Sequence, residues 1–324
     1  MQGFLDPAIL FFVFGMLAGA LKSNLEIPPQ ISRFLSLYLL MALGLKGGFA
    51  LARSGLTVEV AVTLACALLL AVMVPLMGYA LLRRFLNGYD AAAVAATYGS
   101  VSAVTFITAV QYLDTHGIAF GGHMAAAMAL MESPAIVLAV LLANRARVQD
   151  RSATVMAVPV RPSTARLVHE SLTDGTQLLL LGAMAIGMLS GARGEAAMQP
   201  FAGDLFKGML AFFLLDMGLL AARNAGSLRG KPAWLLGYAL LAPLVHAGLA
   251  LLMGVGLGLS AGNTALLMVL AASASYIAVP AVVRHAIPEA NPSLYLGMSL
   301  GLTFPFNILF GIPLYASVAQ WLLV

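Results

Sequence analysis

The stretch AASASYIAVPAVVR, Ala271–Arg284, decides how this chain is read. It runs through small residues and serines to Tyr276 and then Pro280, inside a segment otherwise apolar enough to span a bilayer. Proline removes an amide donor and discourages helix, so the pattern predicts a helix that stops and restarts within a membrane. Backbone freed at such a break finds no water in hydrocarbon and must be satisfied by protein, a cavity or a ligand. A partner stretch lies earlier, AATYGSVSAVTFITA at Ala95–Ala109, where Gly99 lacks a side chain and Thr97, Ser100, Ser102 and Thr105 supply hydroxyls. The two breaks together are expected to form a transport site.

Composition places the stretch in a membrane. Of 324 residues, 61% are hydrophobic and 9% charged, with mean hydropathy +0.95. A soluble domain carries about 25% charged residues, so a soluble fold is excluded. The net charge of +4 is dispersed between apolar runs, which reads as cytoplasmic loop charge and not as a nucleic-acid surface. The single cysteine, Cys66, lies in an apolar run, so there is no intramolecular disulfide framework. The N-terminus has no basic region before its apolar run and reads as a first spanning helix, not a cleaved signal peptide.

A spanning helix takes about 20 apolar residues. On that length the chain predicts an all-α integral membrane protein of ten helices, near 7–21, 34–52, 58–81, 91–112, 123–143, 176–192, 205–222, 233–258, 264–283 and 295–322. With the N-terminus outside, the inner connectors hold thirteen of the 17 basic residues, and the outer ones only Arg53, Arg193 and Lys207. This satisfies the positive-inside rule. It predicts a bacterial inner-membrane protein with both termini on the outer side.

The longest polar connector, Arg145–Asp174, falls near the middle, and the two sides read alike. FGMLAG (14–19) resembles IGMLSG (186–191), LLMALGLKGG (39–48) resembles FLLDMGLLAA (213–222), TYGSVSAVTF (97–106) aligns with ASASYIAVPA (272–281), and MESPAIV (131–137) with LTFPFNI (302–308). Residues 1–148 and 171–324 are therefore expected as two five-helix repeats joined by a cytoplasmic linker, 149–170. Five is odd, so the second repeat is inverted, a signature of secondary transporters with interrupted helices at matching positions.

Two half-helix N-termini meeting near the midplane favour a small anion, while unwound carbonyls and hydroxyls suit Na⁺. Gly99, Ser100, Ser102, Thr105, Ser273, Ser275 and Tyr276 are the candidates at the breaks, with Na⁺ expected at Ser102, Thr105 and Ser275. The plainer alternative is that these small residues let helices pack closely. Ionisable residues within spans are costly and face cavities or partners. Glu132, before Pro134, is a candidate for cation binding or proton coupling, with Thr303 and Asn307 in the matching helix. Lys46 and Asp216 occupy equivalent second helices and are expected as a structural charge pair, unless the lysine snorkels. Neither HExxH nor a cysteine–histidine cluster occurs, so no transition metal, other cofactor or enzymatic activity is expected.

At these residues the chain resembles the sodium-dependent bicarbonate permease family. GLKGG (44–48), YGSVSAVTF, MESPAIV, VHESL (168–172), AIPEANPSLYLG (286–297) and GIPLYASVAQWL (311–322) carry the likeness. The resemblance implies a homotrimer and elevator motion of a core domain against a gate domain, each drawing helices from both repeats. It also implies a cytoplasmic regulator like PII, and Na⁺ as coupling ion. It implies a binding site at Gly99, Ser102, Thr105, Ser273 and Ser275, with Glu132 where the family has aspartate. In the second break Tyr276 replaces the family's aspartate, removing a natural Na⁺ ligand. The expected function is Na⁺-dependent bicarbonate uptake. The alternatives are another small anion or carboxylate coupled to Na⁺ or H⁺, and a non-transporting receptor for a PII-like protein.

Overall fold

The computed structural model describes residues 6–55, 57–151, 174–228 and 230–323. Beyond Arg151 the expected linker lies outside them. The described chain is helical: α1 (Pro7–Ala20), α2 (Pro29–Ser54), α3 (Val58–Leu82), α4 (Gly88–Gly99), α5 (Ala103–Thr115), α6 (Met124–Arg151), α7 (Gly175–Met198), α8 (Phe206–Ala225), α9 (Ala233–Leu257), α10 (Ala261–Ala272), α11 (Ala278–Ala286) and α12 (Pro292–Leu323). Starts are written in the sequence. The side chains of Asp6, Thr57, Asn87, Ser102 and Asp174 each accept a hydrogen bond from the first-turn amides that a helix leaves unpaired.

Seven helical stretches among the described residues are long and apolar enough to cross a membrane, where the sequence predicts ten. Three features account for the difference. Two expected spans run together in Gly175–Leu228, bent at Gly191 (φ 54°) and continued through a π-helical turn at Gln199–Asp204. The first span is only 14 residues long. The ninth is divided by its break into α10 and α11.

Four helices form one layer in which α1 packs against α8 and α2 against α7. Glycine sets the spacing. A Cβ on Gly15 would strike the α8 backbone at Leu215, and one on Gly218 would strike α1 at Phe12. Gly48 meets Met184 and Gly187 in the same way. Backbone contact this close is how helices associate where the surrounding lipid is as apolar as leucine. Against this layer stand α3–α6 and α9–α12, with both breaks enclosed between their halves.

Candidate functional site

The chain leaves helical geometry at Ser100–Ser102 and again at Ser273–Ile277, and the two extended segments cross in contact. The Ser102 amide donates to Ser273 Oγ at 3.0 Å, and the Ser275 amide donates to the Thr97 carbonyl at 2.8 Å. Each break thus satisfies backbone that the other has freed. The serine hydroxyls then start the next helices. Ser102 Oγ accepts from the Thr105 amide at 3.2 Å and the Thr105 hydroxyl at 3.0 Å, and Ser275 Oγ accepts from the Val279 amide at 3.2 Å. Thr97 and Ser100, fully buried, have hydroxyls without a protein partner.

A cavity of about 220 Å³ opens on this crossing. The N-terminal turns of α5 and α11 reach it through Ala103, Val104 and Ala278, and the break itself contributes Ser102, Ser275 and Tyr276. The opposite wall carries Glu132 from α6, and Asp174, Thr176 and Gln177 from the start of α7. Gln177 Nε2 donates to Glu132 Oε2 at 3.1 Å, fixing the carboxylate toward α7. The lining therefore combines the first turns of three helices, with partial positive charge, and the carboxylates of Glu132 and of Asp174, the latter engaged in capping α7. The remaining lining is largely aliphatic, including Leu40, Val101, Met128 and Leu180.

Of the residues predicted from sequence, Ser102, Ser275, Tyr276 and Glu132 line this cavity. Thr105 and Ser273 stand directly behind it and hold Ser102. Gly99 is a packing position, because a Cβ there would lie 2.6 Å from the Pro75 ring of α3. Thr303 and Asn307 do not line the cavity. The Thr303 hydroxyl donates to the Ala239 carbonyl at 2.7 Å and lies 2.6 Å from Tyr98 Oη, and Asn307 Nδ2 donates to the Ala272 carbonyl at 2.8 Å. Asn307 so closes the end of α10 immediately before the second break. The π-helical turns at Ser299–Thr303 and Asn307–Gly311, on either side of Pro305, turn these side chains inward.

The expected Lys46–Asp216 pair is absent. Lys46 Nζ lies 3.5 Å from Asp114 of α5 and stacks over the Phe206 ring at 4.5 Å. Phe206 begins α8 ten residues before Asp216, about 15 Å along a helix axis; matching positions in the sequence repeats therefore sit at different depths. Asp216, 5% exposed, has Ser32 and Arg223 near its carboxylate. Gln177 and Asp174 were missed because they follow the polar connector; their only signal is the N-cap pattern Asp-Gly-Thr-Gln.

A family model described as the Na⁺-dependent bicarbonate transporter superfamily matches residues 7–320. The chain belongs to this superfamily. It is a membrane protein of a transporter family, and the sodium dependence and the small-anion cargo are properties in that family's description. No curated protein matches the sequence.

Proposed function

We propose that the protein is a secondary active transporter that takes up bicarbonate with Na⁺ across the bacterial inner membrane, both termini lying outside. The observation that carries this reading is the cavity at the crossed breaks, where two helix N-termini face the Glu132 carboxylate. An anion is favoured at the helix N-termini and a cation at the carboxylate, and each lowers the cost of holding the other in a low-dielectric site.

Inverted repeats are supported by reciprocal contacts. Asp90 Oδ1, in the first turn of α4, accepts from the Asn291 amide at 2.7 Å. Asn263 Oδ1, in the first turn of α10, accepts from the Gly121 amide, also at 2.7 Å. Each interrupted helix is thus tied to the loop before the last helix of the other repeat. Such ties hold α3–α6 and α9–α12 as one body able to slide against the glycine-spaced layer, which is elevator motion, and the resemblance adds a homotrimer and a PII-like regulator.

A second reading, a small organic carboxylate as cargo with Na⁺ or H⁺ coupling, draws on Tyr276 and the aliphatic lining. Uptake of labelled bicarbonate into proteoliposomes, with and without a Na⁺ gradient, separates these. Na⁺-stimulated bicarbonate uptake is expected. Folded protein that moves a carboxylate but no bicarbonate would establish the second reading, and one that moves neither would leave a receptor.

A further inference from the structure

A second cavity, of about 320 Å³, lies at the other end of α5. It shares several pairs of repeat-related helices with the first but contains no break residue. The cavity at the breaks is bounded by the first turn of α7, capped by Asp174, and by α11, α6 and α2. The second is bounded by the first turn of α1, capped by Asp6, and by α5, α12 and α8. Under the repeat, α1 corresponds to α7, α5 to α11, α12 to α6 and α8 to α2. The first cavity opens on the breaks, and the second lies along the C-terminal half of α5, away from them.

Their chemistry differs. The α11 wall of the first is Ala278, Ala281 and Val282, whereas the α5 wall of the second is Thr108, Gln111, Tyr112 and Thr115. These positions share one helix face, and Thr108 and Gln111 are 3% and 5% exposed. A polar stripe inside a membrane is costly and marks a pathway or a partner. The hydroxyl hydrogens are already used within the helix. Thr108 Oγ1 donates to the Val104 carbonyl and Thr115 Oγ1 to the Gln111 carbonyl, both at 2.8 Å, and Gln111 Nε2 donates to Thr115 at 2.8 Å. What the hydroxyls have left for a ligand is oxygen lone pairs, the donor set of a hard cation.

We propose that this outer cavity is an antechamber for a monovalent cation, with Thr108 and Gln111 receiving the coupling ion on its way to the breaks. The proposal rests on the Na⁺-coupled reading above. The test is the initial rate of bicarbonate uptake against external Na⁺ for the parent, Gln111→Leu, Thr108→Val and Gln111→Asn. Gln111→Leu and Thr108→Val should raise the half-saturating Na⁺ concentration about tenfold. The half-saturating bicarbonate concentration should move less than about twofold, and Gln111→Asn should stay near the parent. Unchanged Na⁺ dependence in folded variants, or equal shifts for both solutes, overturns the antechamber while leaving the transporter intact. Parent uptake that ignores Na⁺ overturns the coupling itself. Should the leucine variant fail to fold, Gln111→Cys in a Cys66→Ala background and a membrane-impermeant thiol reagent give a second measurement, because position 111 lines the cavity. Labelling from outside that Na⁺ slows relative to choline is expected, and labelling indifferent to Na⁺ overturns the proposal.

Discussion

The two breaks cross in contact but are built differently. The first spans three residues, Ser100–Ser102, and is braced throughout: Ser102 takes two hydrogen bonds from Thr105, and Gly99 sits against Pro75. The second spans five, Ser273–Ile277, and carries a large side chain, Tyr276, into the cavity beside a half-exposed Ile277. Its phenolic oxygen lies 3.6 Å from Met217 Sδ and interacts with the Ser102 side chain of the first break. On the proposed function, the first break sets the geometry and Tyr276 of the second faces the cargo.

Removing the hydroxyls that hold both breaks should have the largest effect. Ser102→Ala with Ser275→Ala takes away both helix-starting acceptors, each worth about 1 kcal/mol, and the site they shape. Uptake should fall by about thirtyfold, as two lost caps of that size allow, while detergent-solubilised protein still elutes as one folded species. Parent-like uptake would break the assignment of the site to the crossing.

Altering the cargo surface alone comes next. Tyr276→Phe removes the hydroxyl and keeps the ring, which packs on Phe304 at 5.2 Å. Thermal stability should stay near the parent, and the ratio of bicarbonate to carboxylate uptake should shift by about three- to tenfold. An unchanged ratio would place selectivity at the first break instead. Gly99→Ala tests the opposite expectation, that the first break answers in stability: overpacking against Pro75 should cost about 1–3 kcal/mol, seen as a lower melting temperature with cargo preference unaltered.

The smallest effect belongs to the tether beyond the second break. Arg147 Nη2 donates to the Ala286 carbonyl at the end of α11 at 2.9 Å and to Glu289 at 2.7 Å. The hydrogen bond to that guanidinium holds the Glu289 carboxyl below the usual carboxylate range. A lowered native value stabilises at neutral pH, above the free carboxyl's value of about 4.3. The contribution is lost as pH falls through the native value. Glu289→Gln should therefore lower the melting temperature slightly at pH 7, by the equivalent of at most about 1 kcal/mol, and the gap to the parent should close below pH 4.

These contrasts also mark what the sequence discloses. Both interruptions were readable because Pro280 and the clustered serines act on local backbone, through a missing amide donor and helix-starting acceptors. The repeat rests on motifs that recur in order along the sequence. Partners across the bundle were not. Lys46 and Asp216 match in sequence, yet depth in the membrane gives Lys46 to Asp114. Thr303 and Asn307 matched the Glu132 helix, but π-helical turns around Pro305 direct them to the Ala239 and Ala272 carbonyls. Gln177 was invisible because only the packing of α7 beside α6 gives Glu132 a partner.

The reciprocal ties between repeats bear on how the protein is made. When the ribosome has delivered Gly121 to the membrane, the Asn263 side chain that will accept its amide is still 142 residues from being joined to the chain. Asp90 waits longer for Asn291. Until then Asp90 has the Asn87 side chain, which donates to it at 2.7 Å, and water reaches these helix ends. The ties between the halves are thus the last contacts that synthesis allows, formed when the loop before α12 has been made.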